Sequence, residues 1–185
     1  MLRSGPEEIE AVARVINSKK LFRINDGLKE VENFEKELAA RFGSQYALCL
    51  NGGTSALVCA LIGLGIGPGD EVIIPAYTFV ATANAVLAVG AIPVVAEVDE
   101  TTTIDAGDVR SKLRPAVKAV IPVNMVGFPC NMAALLELCS AAGVAIVEDA
   151  CQAMGGSFAG KRLGTWGDAG CFSFNDYKII SAGEG

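Results

Sequence analysis

From residue 46 to residue 174 short apolar runs alternate with segments of helical spacing. Residues 46–50, 71–74, 92–96, 117–123, 144–148 and 169–174 read as strands, and 54–64, 78–89, 106–113 and 132–141 as helices. The strand runs are apolar at consecutive positions, so both of their faces must be covered. This alternation predicts a three-layer α/β/α fold around a mostly parallel sheet. Upstream, Ile9, Val12, Val15 and Ile16 recur at helical spacing over 7–17, with Pro6 suited to the first turn. Val31, Phe34 and Leu38 repeat the pattern over 29–42. The expected division is a helical segment, residues 1–27, followed by one domain over 28–185.

Composition excludes several classes. Histidine is absent, which removes Ser-His-Asp triads and histidine metal sites. The six cysteines show no metal or redox spacing, so no metal site is expected, and five or six of them read as small core residues in a reducing compartment. A net charge of −6 and a pI near 4.7 argue against nucleic acid. Hydrophobic residues reach 51%, yet the weakly polar stretch 85–96 is short and broken by Gly90 and Pro93, so no membrane span is expected. The first residues carry no basic region followed by an apolar run, and a cytoplasmic location is expected.

In parallel sheets of this kind ligands sit beyond the carboxyl ends of the strands. The residues there are Asn51-Gly52-Gly53-Thr54-Ser55, Pro75 to Phe79, Asn124 to Gly127, Asp149 to Gln152, and Asn175 to Lys178. A glycine pair opening a helix lets backbone approach a phosphate, although an ordinary capped turn has the same composition. The run Gly63-Leu-Gly-Ile-Gly-Pro-Gly69 follows a helix and precedes a strand, the wrong context for a dinucleotide fingerprint, and reads as a helix end and turn. Asp149 closes an apolar strand, and a lysine delivered after Cys171-Phe-Ser-Phe174 can be desolvated and made nucleophilic. Lys178 as a Schiff-base lysine and Asp149 beneath a cofactor ring together point to pyridoxal 5′-phosphate (PLP) chemistry. Phe79 could stack on such a ring or serve as an ordinary core aromatic, and Ser173 could bind phosphate or be a plain strand residue.

Five segments carry a family resemblance: Asn51-Gly-Gly-Thr-Ser-Ala-Leu57, the stretch from Pro68 to Ala85, Glu148-Asp-Ala-Cys-Gln-Ala153, Gly164-Thr-Trp-Gly-Asp-Ala-Gly170, and Phe172-Ser-Phe-Asn-Asp-Tyr-Lys178 ending in Gly183-Glu-Gly185. In this order and spacing the chain resembles the DegT/DnrJ/StrS aminotransferases, PLP-dependent sugar aminotransferases of fold type I. The resemblance implies that Lys178 bonds the cofactor and Asp149 partners the pyridine nitrogen. It further implies that Gln152 reaches the ring hydroxyl, Phe79 stacks on the ring, and Gly53, Thr54, Ser55 and Ser173 hold the phosphate. An amino-acid donor (glutamate or glutamine), a keto-sugar, nucleotide-sugar or keto-cyclitol acceptor, and a homodimer follow as expectations.

Asn124 and Asn175 stand where the family often has His, and Cys151 where Ala is usual. One branch of the family replaces the lysine with His and dehydrates sugars, and Lys178 argues against that branch. Family members are roughly twice as long, with a further strand expected between the 169–174 and 46–50 strands and a small C-terminal domain. The chain is therefore expected to be the amino-terminal part of a longer protein. Two other classes compete. A nicotinamide-dependent oxidoreductase needs G-x-G-x-x-G after the first strand, which Asn51-Gly-Gly-Thr-Ser55 does not supply. A non-catalytic or regulatory PLP-fold protein is weakened by the presence of Lys178 and Asp149.

Overall fold

The computed structural model describes residues 5–25 and 27–183. They form two compact units that divide between Cys49 and Leu50, well downstream of the 27/28 boundary expected from the sequence.

The first unit holds helix α1 (Pro6–Ser18), a 3-10 turn (Arg23–Asn25) and helix α2 (Glu30–Phe42). Its polar anchor is Glu35, buried on α2, which accepts from an Arg23 guanidinium nitrogen at 2.6 Å and from the Cys49 N–H at 2.7 Å. Helix α1 leaves Ile9, Val12 and Ile16 exposed. Among the described residues the expected strand over 46–50 forms no ladder. Alternation of Tyr46, Leu48 and Leu50 gives it strand character, but a strand exists only with a hydrogen-bonded neighbour.

The second unit is the α/β/α layer structure. Helices α3 (Gly53–Gly63), α4 (Ala81–Ala88), α5 (Ala106–Lys112) and α6 (Met132–Ala142) alternate with strands β1 (Glu71–Pro75), β2 (Ile92–Ala96), β3 (Val117–Val120) and β4 (Ala145–Asp149). A hairpin of β5 (Ser157–Phe158) and β6 (Lys161–Arg162) precedes β7 (Ala169–Cys171). The main sheet runs β2-β1-β3-β4-β7 with every pairing parallel. Side chains alternate between its faces. Val72, Ile74, Ala119, Ile121 and Val147 pack with Leu57 and Leu61 of α3 and Val86 of α4. Ile73, Val120 and Ile146 pack on the other side with Val109 of α5 and Leu135 of α6. The uninterrupted apolar strand runs are explained by these two buried faces.

Several boundaries differ from the sequence reading for local reasons. Helix α4 begins at Ala81 rather than 78, after the turn that follows Pro75. Strand β3 stops at Val120 because Pro122 has no N–H to give to the ladder. Strand β7 stops at Cys171, which pairs with Asp149, the last residue of β4. The β5–β6 hairpin was not foreseen; its two-residue turn puts Ala159 (φ 46°) and Gly160 (φ 80°) in the left-handed region. The glycine-rich stretch after α3 is a helix end and turn, with the Ile66 N–H donating to the Leu61 carbonyl at 3.0 Å.

Candidate active site

Because the strands are parallel, their carboxyl ends share one edge, and a cleft of about 560 Å³ opens there within the second unit. Its walls come from the start of α3, the turn before α4, the end of β4 and the segment after β7. Gly53, Thr54, Ser55, Phe79, Asp149, Gln152, Ser173 and Lys178 all line it. Asn51, Cys151, Asn175 and Tyr177, to which the sequence assigned no cofactor role, line it as well.

Helix α3 starts at Gly53 behind Gly52, which has no side chain to cap the helix. The N–H groups of the first turn have no acceptor within the helix and carry the positive end of its dipole. The backbone here is closely covered. A Cβ built on Gly53 would lie 2.8 Å from Cys151 Sγ and 3.0 Å from Ser173 Cβ, so this position tolerates only glycine without a shift. The result is a cradle of bare backbone suited to an anionic group.

Asp149 is buried at the end of β4, and both of its carboxylate oxygens are engaged. Oδ1 accepts from the Cys151 N–H at 3.1 Å, and Oδ2 from the Thr82 hydroxyl at 2.9 Å. The Cys151 thiol is pushed up by burial first and then by the negative charge of Asp149, so it stays a neutral packing group. Gln152 Oε1 accepts from the Val126 N–H at 3.1 Å. A backbone N–H can be met only by the amide oxygen, so the Gln152 NH₂ is left as the group available to the cleft. Val126 holds φ 52°, an uncommon conformation for a β-branched residue.

Lys178 rides on a turn built by Asn175. The Asn175 side chain accepts from the Tyr177 N–H at 3.1 Å, and its carbonyl accepts from the Lys178 N–H at 2.9 Å. Asn175 therefore has a turn-forming role that the sequence did not reveal. Asn124 is fully buried, and its Oδ1 accepts from the Cys130 N–H at 3.1 Å. Phe79 is 62% exposed, so its ring is available at the cleft mouth.

The sequence marks Glu148 only as a strand residue. It is fully buried and accepts from three backbone N–H groups, those of Gly164 (2.8 Å), Trp166 (2.5 Å) and Gly167 (2.9 Å). Thr82 was also missed. The spacing of Thr78 and Thr82, one helical turn apart after an apolar strand, was the available signal.

A buried acid at a strand end, a lysine across the cleft and a helix start bare of side chains define a site suited to a phosphorylated, ring-containing cofactor. Residues 3–185 match the DegT/DnrJ/EryC1/StrS aminotransferase family, and the chain belongs to that family. It is 42% identical over 156 residues to the GDP-perosamine synthase of Caulobacter vibrioides, covering 84% of this chain and 42% of that protein. Its structure is similar to that of an aminotransferase from Psychrobacter cryohalolentis, with a TM-score of 0.94, 35% identity, and coverage of 98% of this chain and 46% of that one. It also resembles the E. coli GDP-4-keto-6-deoxy-D-mannose-3-dehydratase, solved with bound hydrated PLP (TM-score 0.87, 27% identity, 100% of this chain and 48% of that one). The chain thus spans about half the length of the curated relatives it matches. Among the described residues no helix is long and apolar enough to cross a membrane.

Proposed function

We propose that this chain carries the cofactor-binding part of a PLP-dependent aminotransferase. The intact enzyme would move an amino group from an amino acid, glutamate or glutamine, to a keto-sugar, nucleotide-sugar or keto-cyclitol. The observation that carries this reading is the convergence of Asp149, Lys178 and the bare start of α3 on one cleft.

The residues present fit the cofactor. The Gly53 cradle, where a Cβ would meet Cys151 and Ser173, suits the phosphate, with the Thr54, Ser55 and Ser173 hydroxyls as further ligands. PLP supplies an electron-withdrawing ring that stabilises negative charge at the substrate carbon. Asp149 would meet the ring nitrogen and keep its proton in place. Gln152 would donate from its NH₂ to the ring hydroxyl. Phe79 would cover the ring face and exclude water from it. Lys178 Nζ would hold the cofactor and, as a free amine, would carry a proton away from the donor's α-carbon. Positioned acid–base help of this kind contributes roughly 10² to 10⁴ in rate.

Lys178 favours amino transfer over the dehydration performed by the E. coli relative, because amino transfer needs a primary amine that can both bond the cofactor and move protons. A cytoplasmic homodimer is part of the same proposal.

The test is borohydride reduction of the chain incubated with PLP, followed by peptide mass mapping. A pyridoxyl adduct on Lys178, lost in Lys178→Ala, is the expected result. An adduct confined to other lysines overturns the assignment.

A further inference from the structure

Behind the cleft wall a line of hydroxyls runs from the turn before α4 to the carboxylate of Asp149. Thr82 is fully buried on the first turn of α4. Its Oγ1 lies 2.9 Å from Asp149 Oδ2 and 2.7 Å from Thr78 Oγ1. A carboxylate can only accept, so the single Thr82 proton goes to Asp149. In the Thr78–Thr82 bond Thr78 is then the donor; its other acceptor within reach, the Phe79 carbonyl, lies farther off at 3.4 Å. The line runs from Thr78 O–H to Thr82 Oγ1, and from Thr82 O–H to Asp149 Oδ2.

The same turn also carries the residue assigned to the ring face. The Thr82 N–H donates to the Phe79 carbonyl at 3.1 Å. Phe79 thus faces the cleft from the turn whose other end grips the acid. On the opposite side the Cys151 N–H holds Asp149 Oδ1 at 3.1 Å. Two donors from different elements leave the carboxyl plane no freedom to rotate, while each oxygen keeps a lone pair.

We propose that Thr82 is a positioning residue: with Thr78 behind it, its hydroxyl holds the Asp149 carboxylate in the orientation that keeps the cofactor's ring nitrogen protonated. This inference rests on the cofactor reading above. It assigns Thr82 no contact with cofactor or substrate. A buried hydroxyl must find a partner wherever it sits, which would explain a hydrogen bond but not a bond to this oxygen. The functional content is therefore in the ring nitrogen.

The experiment compares the wild-type chain, Thr82→Val and Thr82→Ser, each loaded with PLP labelled with ¹⁵N in the ring and held at one pH. Valine keeps the shape of threonine and removes the hydroxyl; serine keeps the hydroxyl. The ring ¹⁵N shift reads protonation directly, and an absorbance titration reads affinity. Wild type and Thr82→Ser are expected to share a protonated-ring shift. Thr82→Val is expected to move toward the unprotonated value and to bind PLP on the order of tenfold more weakly. Identical shifts in all three chains overturn the inference and leave the cofactor reading standing. No uptake of PLP by any of them overturns both. Should Thr82→Val fail to fold, Thr78→Val removes the donor behind Thr82 from a half-exposed position. A smaller shift of the same sign is then expected, and no shift overturns the relay.

Discussion

Gly53 and Cys151 are locked together: a Cβ at residue 53 would stand 2.8 Å from the Cys151 sulfur. The start of α3 is therefore held against the segment that follows Asp149, and the cradle and the acid move as one piece. Gly53→Ala is expected to lower stability by about 1–3 kcal/mol through overpacking and to abolish PLP uptake. Adding Cys151→Ala should restore part of the stability, because the nearest clashing atom is gone while Ser173 Cβ, at 3.0 Å, remains. Urea unfolding of the single and double variants checks this; equal midpoints for the two would show that the sulfur contact is not limiting.

Glu148 organises the loop that precedes β7. Its carboxylate meets the N–H groups of Gly164, Trp166 and Gly167. Glu148→Ala leaves three partly buried donors without their acceptor, a loss of about 3 kcal/mol. Trp166 is the single tryptophan of the chain, so its fluorescence reports the loop directly. The variant should show a red-shifted emission before global unfolding; an unchanged spectrum would count against the clamp.

Val126 and Gln152 allow stability and binding to be separated. Val126→Gly removes the cost of a left-handed valine and should raise the melting temperature, with a gain of about 1 kcal/mol. Gln152→Glu keeps an acceptor for the Val126 N–H but removes the NH₂ donors, so it should weaken PLP binding while leaving the melting temperature close to wild type. Equal PLP affinity for Gln152→Glu and wild type would remove Gln152 from the ring-binding set.

The buried thiols set an alkaline limit. Burial pushes Cys130 and Cys171 up to about 12 and Cys139 up to about 11, from an ordinary value of 9.0. Above pH 9 the unfolded chain therefore loses thiol protons that the folded chain retains. The unfolded state then binds fewer protons, and stability falls as pH rises from about 9 to about 12. Cys130→Ala should flatten that decline by at most about 1.4 kcal/mol per pH unit, read from urea midpoints along a pH series. An unchanged slope would mean that the Cys130 thiol does not carry the effect.

Sequence and structure agree where the physics is local. Continuous apolar runs such as 72–74 and 144–147 read as strands buried on both faces, and β1 and β4 are those strands. Helices α3 and α6 announced themselves by length and by the glycines that close them. The residues lining the cleft were legible because parallel strands put all their carboxyl ends on one edge, so positions just after each strand had to meet. The failures are equally physical. Residues 46–50 have the pattern of a strand but form no ladder among the described residues. The β5–β6 hairpin depends on two left-handed residues, Ala159 and Gly160, and alanine gives no warning of that conformation.

The sequence by itself determined the layer architecture and the meeting of Asp149, Lys178 and the Gly53 turn, because strands that alternate with helices run parallel and bring their carboxyl ends to one edge, and its motifs carried the family resemblance. Only the tertiary structure decided how the acid is held: that Thr82 and the Cys151 backbone share its two oxygens, that Glu148 meets the N–H groups of a loop, and that Gln152 Oε1 meets the Val126 N–H. Apart from the Cys151–Asp149 bond, which spans two residues, those assignments are bonds between residues far apart in the chain, several of them to backbone N–H groups. Every residue but proline carries such a group, so no side-chain pattern can encode which one will be used.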